Sequence, residues 1–86
     1  MVEKKSKVNL KTGLHARPAA LFVQQASKFA SDIKLIKEDI DVNAKSIMGI
    51  MAMALSKGSE VTICAEGPDE KEAVEALIEL LEKETI

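Results

Sequence analysis

The chain predicts an α+β fold: an open-faced two-layer α/β sandwich in which three helices cover one face of a four-stranded antiparallel sheet. Three observations lead there. The hydrophobic period alternates between two and about 3.6 residues in the order strand, helix, strand, strand, helix, strand, helix, with short connections throughout. The strand segments place polar residues at alternate positions, which leaves one sheet face in water and suits antiparallel pairing. The helical segments each gather their apolar residues on one stripe, so each has one face to bury.

Residues 5–10 alternate, with Val8 and Leu10 on one side, and read as a first strand ending at Lys11-Thr12-Gly13. From Ala19 the period changes. Ala19, Phe22, Val23, Ala26 and Phe29 or Ala30 recur at helical spacing, giving a helix over residues 16–28 that Ser31-Asp32 ends. Ile33 and Leu35 alternate around Lys34, Glu38-Asp39 turns the chain, and Ile40-Asp41-Val42 alternates again, which makes a hairpin. Ser46 is an expected N-cap for a short helix over residues 47–53, closed by Lys57-Gly58. Val61, Ile63 and Ala65 form a strand broken by Gly67-Pro68-Asp69. Asp69 is expected to cap the last helix, with Glu70 and Glu72 in its first turn and Ala73, Val74, Leu77, Leu80 and Leu81 as its stripe.

Eighty-six residues make one domain, residues 1–86, with room for one modest core. With no Trp or Tyr and only Phe22 and Phe29, that core must be aliphatic. No stretch approaches the roughly 20 apolar residues of a membrane span, and Met1-Val2-Glu3-Lys4-Lys5 lacks the apolar segment of a signal peptide, so no membrane insertion and a cytoplasmic location are expected. The single cysteine, Cys64, precludes an intramolecular disulfide and lies in an apolar alternating run, where it is expected as a small buried hydrophobe. One histidine and one cysteine cannot supply the ligands of a zinc site, and neither metal nor cofactor is expected.

Charge is distributed unevenly. Residues 1–57 carry ten basic and five acidic groups, whereas residues 58–86 carry two and nine. The basic segment suits an acidic partner, although solvated lysines on strand and helix faces account for it equally well. Direct nucleic-acid binding is not expected, because a dense basic stripe and an aromatic stacking platform are both missing from the sequence.

The only histidine and the only arginine stand two residues apart in Gly13-Leu14-His15-Ala16-Arg17-Pro18, at the start of the first helix. Proline suits a first helical turn, where the amide it lacks has no intrahelical partner, so His15 falls near the N-cap. Free N–H groups and the positive end of the helix macrodipole favour an anion there. A neutral imidazole offers the lone pair that attack on phosphorus requires, and Arg17 offers a planar fork for phosphate oxygens. A solvated surface pair has the same pattern. Farther along, Ile47, Met48, Ile50, Met51 and Met53 exceed what one face of a short helix can bury. Ile47 and Ile50 are assigned in part to the core, with Met48 and Met51 as an exposed apolar patch.

Gly13-Leu14-His15-Ala16-Arg17-Pro18-Ala19-Ala20 and Lys45-Ser46-Ile47-Met48-Gly49-Ile50-Met51 resemble the two signature segments of HPr, the histidine-containing phosphocarrier family of the bacterial sugar phosphotransferase system, and the resemblance spans nearly the whole chain. It implies a sheet in the order 1-4-2-3. It also implies a phosphoryl group received on His15 from enzyme I, assisted by Arg17, and donated to enzyme IIA domains. Ser46 matches the regulatory serine of Gram-positive members, with HPr kinase/phosphorylase and a catabolite control transcription factor as implied partners. Ala16, Ala20, Ile47, Met48 and Met51 match the docking surface. Two features depart from the pattern: Ala54 stands where glycine is frequent, and Ile36-Lys37 precede an acidic turn where an aromatic and Asn-Gly are frequent. Besides a carrier, two readings stand: a regulatory module of the same fold acting through phospho-Ser46, and a generic protein-binding domain. An intact histidine favours transfer over the first of these, and the second predicts no phosphohistidine.

Overall fold

In the computed structural model, which describes residues 1–84, the elements run β1 (Val2–Lys7), α1 (Ala16–Ser27), β2 (Asp32–Lys37), β3 (Ile40–Asn43), α2 (Ile47–Ala52), β4 (Glu60–Glu66) and α3 (Glu70–Glu82). The four strands form one antiparallel sheet in the order β1-β4-β2-β3, as the resemblance implied. Alternation along β4 decides its two sides. Val61, Ile63 and Ala65 are buried beneath the helices, while Glu60, Thr62, Cys64 and Glu66 take the open side.

That alternation corrects the expectation for Cys64. Its neighbours at 63 and 65 occupy the covered side, so Cys64 lies half-buried on the open face, its Sγ 3.1 Å from the Met1 Sδ. A second correction concerns the first strand, which occupies residues 2–7 rather than 5–10. Val8 and Leu10 are buried as their alternation demands, but the chain has already left the sheet there. The Val8 N–H donates to Ser59 O, the Asn9 N–H to Leu81 O and the Lys11 N–H to Glu84 O. Side-chain period alone does not reveal which backbone the N–H groups meet.

The core is aliphatic apart from Phe22, which α1 buries together with Ala19 and Ala26. Fully burying such a side chain contributes about 1.5–3 kcal/mol. Ala73, Val74, Leu77 and Leu81 of α3 are buried as expected, and Leu80 is half-buried at the edge of the stripe. The β2–β3 hairpin turns at Glu38-Asp39 with Glu38 at φ +56°, a left-handed position where Asn or Gly is less strained. Helix α2 approaches β3 so closely that a Cβ on Gly49 would stand 3.2 Å from that of Val42.

Asp69 occupies the N-cap position of α3 but does not cap that helix with its side chain. Its carboxylate turns to the 30–31 segment, accepting from the Ala30 N–H (2.9 Å), the Ser31 N–H (3.0 Å) and the Ser31 hydroxyl. Those donors, the Ser31 hydroxyl foremost, hold the Asp69 carboxyl below the usual carboxylate range. Ser31 is fully buried by this pairing. Glu70 accepts from the Gly67 N–H at 3.1 Å and ion-pairs with the Met1 ammonium at 2.9 Å, and the ammonium foremost lowers its pKa too.

Candidate phosphoryl-transfer site

Gly13 sets the entry to α1. It has φ +73°, and a side chain there would collide with the Leu55 carbonyl oxygen and lie 2.9 Å from the Ser56 Cα. The close approach is locked by the Leu14 N–H, which donates to Leu55 O at 2.9 Å, and by the buried Leu14 side chain. The loop carrying His15 is thus pinned to the turn that follows α2. A Cβ on Gly13 would also come within 3.2 Å of His15 Cδ2, so the edge of the imidazole lies over the glycine backbone.

His15 is the N-cap residue of α1, in extended conformation at φ −121°, ψ 157°. Among the described residues its side chain makes no capping hydrogen bond, and the first turn of α1 holds no acidic residue. His15, Ala16 and Arg17 are all exposed, while Ala20 is half-buried. Ala16 has φ +47°, the left-handed region that a Cβ disfavours by roughly 1–2 kcal/mol. The result is an exposed imidazole and an exposed guanidinium flanking a helix start that, among the described residues, no carboxylate fills.

The second segment follows its sequence except at Ile47, which is expected in part in the core but, as the first residue of a six-residue helix, lies exposed at the rim of the face that Ile50 buries. Ser46 caps α2, its Oγ accepting from the Gly49 N–H at 3.2 Å. Ile50 is fully buried and Met53 is 9% exposed, whereas Ile47, Met48 and Met51 are 38%, 81% and 47% exposed and make an apolar patch. Helix α2 packs against α1, and the Leu14–Leu55 hydrogen bond ties the loop before α1 to the turn after α2, which makes the two signature segments neighbours. Ala54, in the next turn, has φ +50°. That is the geometry that makes glycine frequent there.

Two anchoring contacts carry no local sequence signal. Lys45 Nζ donates to Phe29 O at 2.8 Å, tying the residue before Ser46 to the turn after α1. Leu55 holds the His15 loop across more than forty residues of chain. Among the described residues no group of His, Cys, Asp and Glu side chains has the arrangement of a metal site, and no helix is long and apolar enough to cross a membrane.

A family model described as the PTS HPr component phosphorylation site matches residues 2–83. The chain belongs to the HPr family, whose members are phosphocarrier proteins of the phosphotransferase system and include HPr-like proteins of catabolite repression. It is 60% identical over 84 residues to the HPr-like protein Crh of Halalkalibacterium halodurans, covering 98% of this chain and 100% of that one. It is 54% identical over 82 residues to the phosphocarrier protein HPr of Treponema pallidum, covering 95% and 93%. The crystal structure of HPr from Bacillus anthracis superposes with a TM-score of 0.91 at 55% identity, covering 93% of this chain and 95% of that one.

Proposed function

We propose that this protein is a cytoplasmic phosphocarrier of the sugar phosphotransferase system. It accepts a phosphoryl group from phospho-enzyme I on His15 and passes it to enzyme IIA domains. The observation that carries this reading is the unfilled N-terminus of α1, with an exposed imidazole at its N-cap and an arginine in its first turn. In each transfer a ring nitrogen of His15 forms a bond to phosphorus as the bond to the donor breaks, and the reverse sequence delivers the group onward. The transition state needs in-line placement and neutralised oxygens rather than covalent assistance. The helix N–H groups and the Arg17 guanidinium supply that neutralisation. Ile47, Met48 and Met51, with Ala16 and Ala20, form the docking surface beside it. The test is intact mass after incubation with enzyme I and phosphoenolpyruvate. One acid-labile phosphate is expected, and its absence would sink the carrier reading.

A second reading is favoured by the 60% identity to the Crh of H. halodurans: regulation of catabolite repression through phospho-Ser46, made by HPr kinase/phosphorylase and read by a catabolite control transcription factor. The two roles are compatible in one chain. A phosphate on Ser46 sits at the start of α2, where it is electrostatically favourable, so folding should be preserved. Facing an acidic partner about 8 Å away at an effective dielectric near 40, its two charges cost roughly 2 kcal/mol. Docking to enzyme I should therefore weaken about 30-fold at low ionic strength and recover partly with salt. Equal Michaelis constants for unmodified, Ser46→Asp and phosphorylated protein would reduce Ser46 to a helix cap.

A further inference from the structure

We propose that the outer face of α2 is a methionine oxidation site, at which a hydroperoxide converts Met48 and Met51 to sulfoxides and so weakens the docking of phosphotransferase partners. This rests on the reading of that face as the docking surface. One short helix and its C-cap carry three methionines of graded exposure: Met48 at 81%, Met51 at 47% and Met53 at 9%. Oxidation follows access of the oxidant to sulfur, so the order Met48, then Met51, then Met53 follows from the packing. In the step itself the thioether sulfur attacks the outer peroxide oxygen. An S–O bond forms, the O–O bond breaks, and the second oxygen takes up the proton and leaves as water from hydrogen peroxide or as the alcohol from an organic hydroperoxide. Sulfur loses two electrons and the peroxide gains them.

The consequence differs for the free and docked molecule. In solution a sulfoxide at position 48 is hydrated, and the buried Ile50 and Met53 keep α2 on the body of the protein, so the fold survives. Docking must strip that water from a strong acceptor against an apolar surface, which weakens association by about tenfold or more. Unoxidised methionine has the opposite character, a flexible apolar side chain that adapts to differently shaped partners. The same side chains that serve several partners are thus the ones exposed to oxidant. Met1 is also exposed, at 74%, and Cys64 half-exposed beside it, but both lie on the open sheet face away from α2.

The experiment titrates the full chain with hydrogen peroxide, locates added oxygen by peptide mapping, and measures affinity for purified enzyme I by calorimetry at each stage. Oxygen is expected at Met48 and Met51 before Met53. Affinity should fall at least tenfold in step with those two positions and return after treatment with methionine sulfoxide reductase. In the Met48→Leu/Met51→Leu variant, affinity before and after peroxide should agree, whatever its starting value, which separates α2 from Met1 and Cys64. Simultaneous oxidation of Met53, or full affinity after oxidation of Met48 and Met51, overturns the proposal. Failure of the untreated wild-type protein to bind enzyme I at all overturns the docking reading instead, and the proposal with it.

Discussion

Helices α1 and α3 begin in opposite ways. The start of α3 carries carboxylates of its own: Glu70 and Glu72 lie in its first turn, although no side chain caps its N–H groups, since Glu70 holds the Gly67 N–H and the Met1 ammonium and Asp69 gathers three donors of the 30–31 segment. The start of α1 has no acidic residue in its first turn and no side-chain cap, and its N-cap histidine stands in solvent. Both ends carry the same backbone dipole. One meets resident carboxylates that favour the fold, while the other, on the proposed reading, is left for a phosphoryl group that comes and goes.

The most severe way to break this contrast is His15→Ala. Phosphoryl acceptance from enzyme I should be lost, while the melting temperature stays within about 2 °C, because the exposed ring contributes little to packing. An acid-labile phosphate persisting on the variant would reassign the carrier residue. Arg17→Ala tests the second member of the pair. Transfer measured by rapid quench should slow on the order of 100-fold with docking affinity nearly unchanged, since the guanidinium acts where charge develops on the moving group. Unchanged rates at saturating partner would make it a bystander.

At the start of α3 the effects should appear in stability and leave transfer alone. Ser31→Ala removes a buried hydroxyl that both donates to Asp69 and accepts from its N–H, costing about 1 kcal/mol or roughly 4–8 °C in melting temperature. The Asp69 carboxyl is lowered in the fold, so its contribution is complete above the ordinary aspartate range near pH ~4 and is lost as pH falls through the folded value. Melting temperature followed from about pH 6 to pH 2 should drop steeply in wild type and less steeply in Asp69→Asn. Parallel curves would remove Asp69 from the acid transition.

The smallest effect belongs to the turn that pins the His15 loop. Ala54 sits at φ +50°, where a Cβ costs roughly 1–2 kcal/mol, and glycine would relieve this while adding about 0.4–1 kcal/mol of unfolded-state entropy. Ala54→Gly should therefore stabilise by about 0.5 kcal/mol, read as a rise of roughly 2–4 °C. A fall in melting temperature would show that the left-handed geometry costs this alanine less than that.

Sequence pattern reported local features well and distant ones poorly. The helix stripes, the Ser46 cap, the hairpin at Glu38-Asp39 and the split between buried Ile50 and exposed Met48 all follow from spacing within a few residues. The histidine and arginine stood out by composition alone. Two of the three errors share a cause. Asp69 reads as a helix cap until Ser31, thirty-eight residues away, competes for its carboxylate. Residues 8–10 read as strand because their side chains alternate, yet their N–H groups meet Ser59 and Leu81. Cys64 reads as buried because its neighbours are apolar, although strand alternation turns it the other way. The first two depend on a partner far along the chain, whereas the third follows from the local period of β4.

That dependence has a kinetic side in the way β1 is completed. Among the described residues it pairs only with β4, from Val2 opposite Ala65 to Lys7 opposite Glu60, so it joins the sheet only after more than fifty further residues have been made. At about 5–20 residues per second, a ribosome leaves it unpaired for roughly 3–10 seconds. Through that interval its own composition protects it. Lys4, Lys5 and Lys7 place three like charges on a six-residue segment, which discourages pairing with a neighbouring nascent chain before β4 arrives. Once the strand is in place all three lysines remain exposed, Lys5 and Lys7 on the open face and Lys4 at the sheet edge opposite Ile63, so protection during synthesis and solubility afterwards come from one set of side chains.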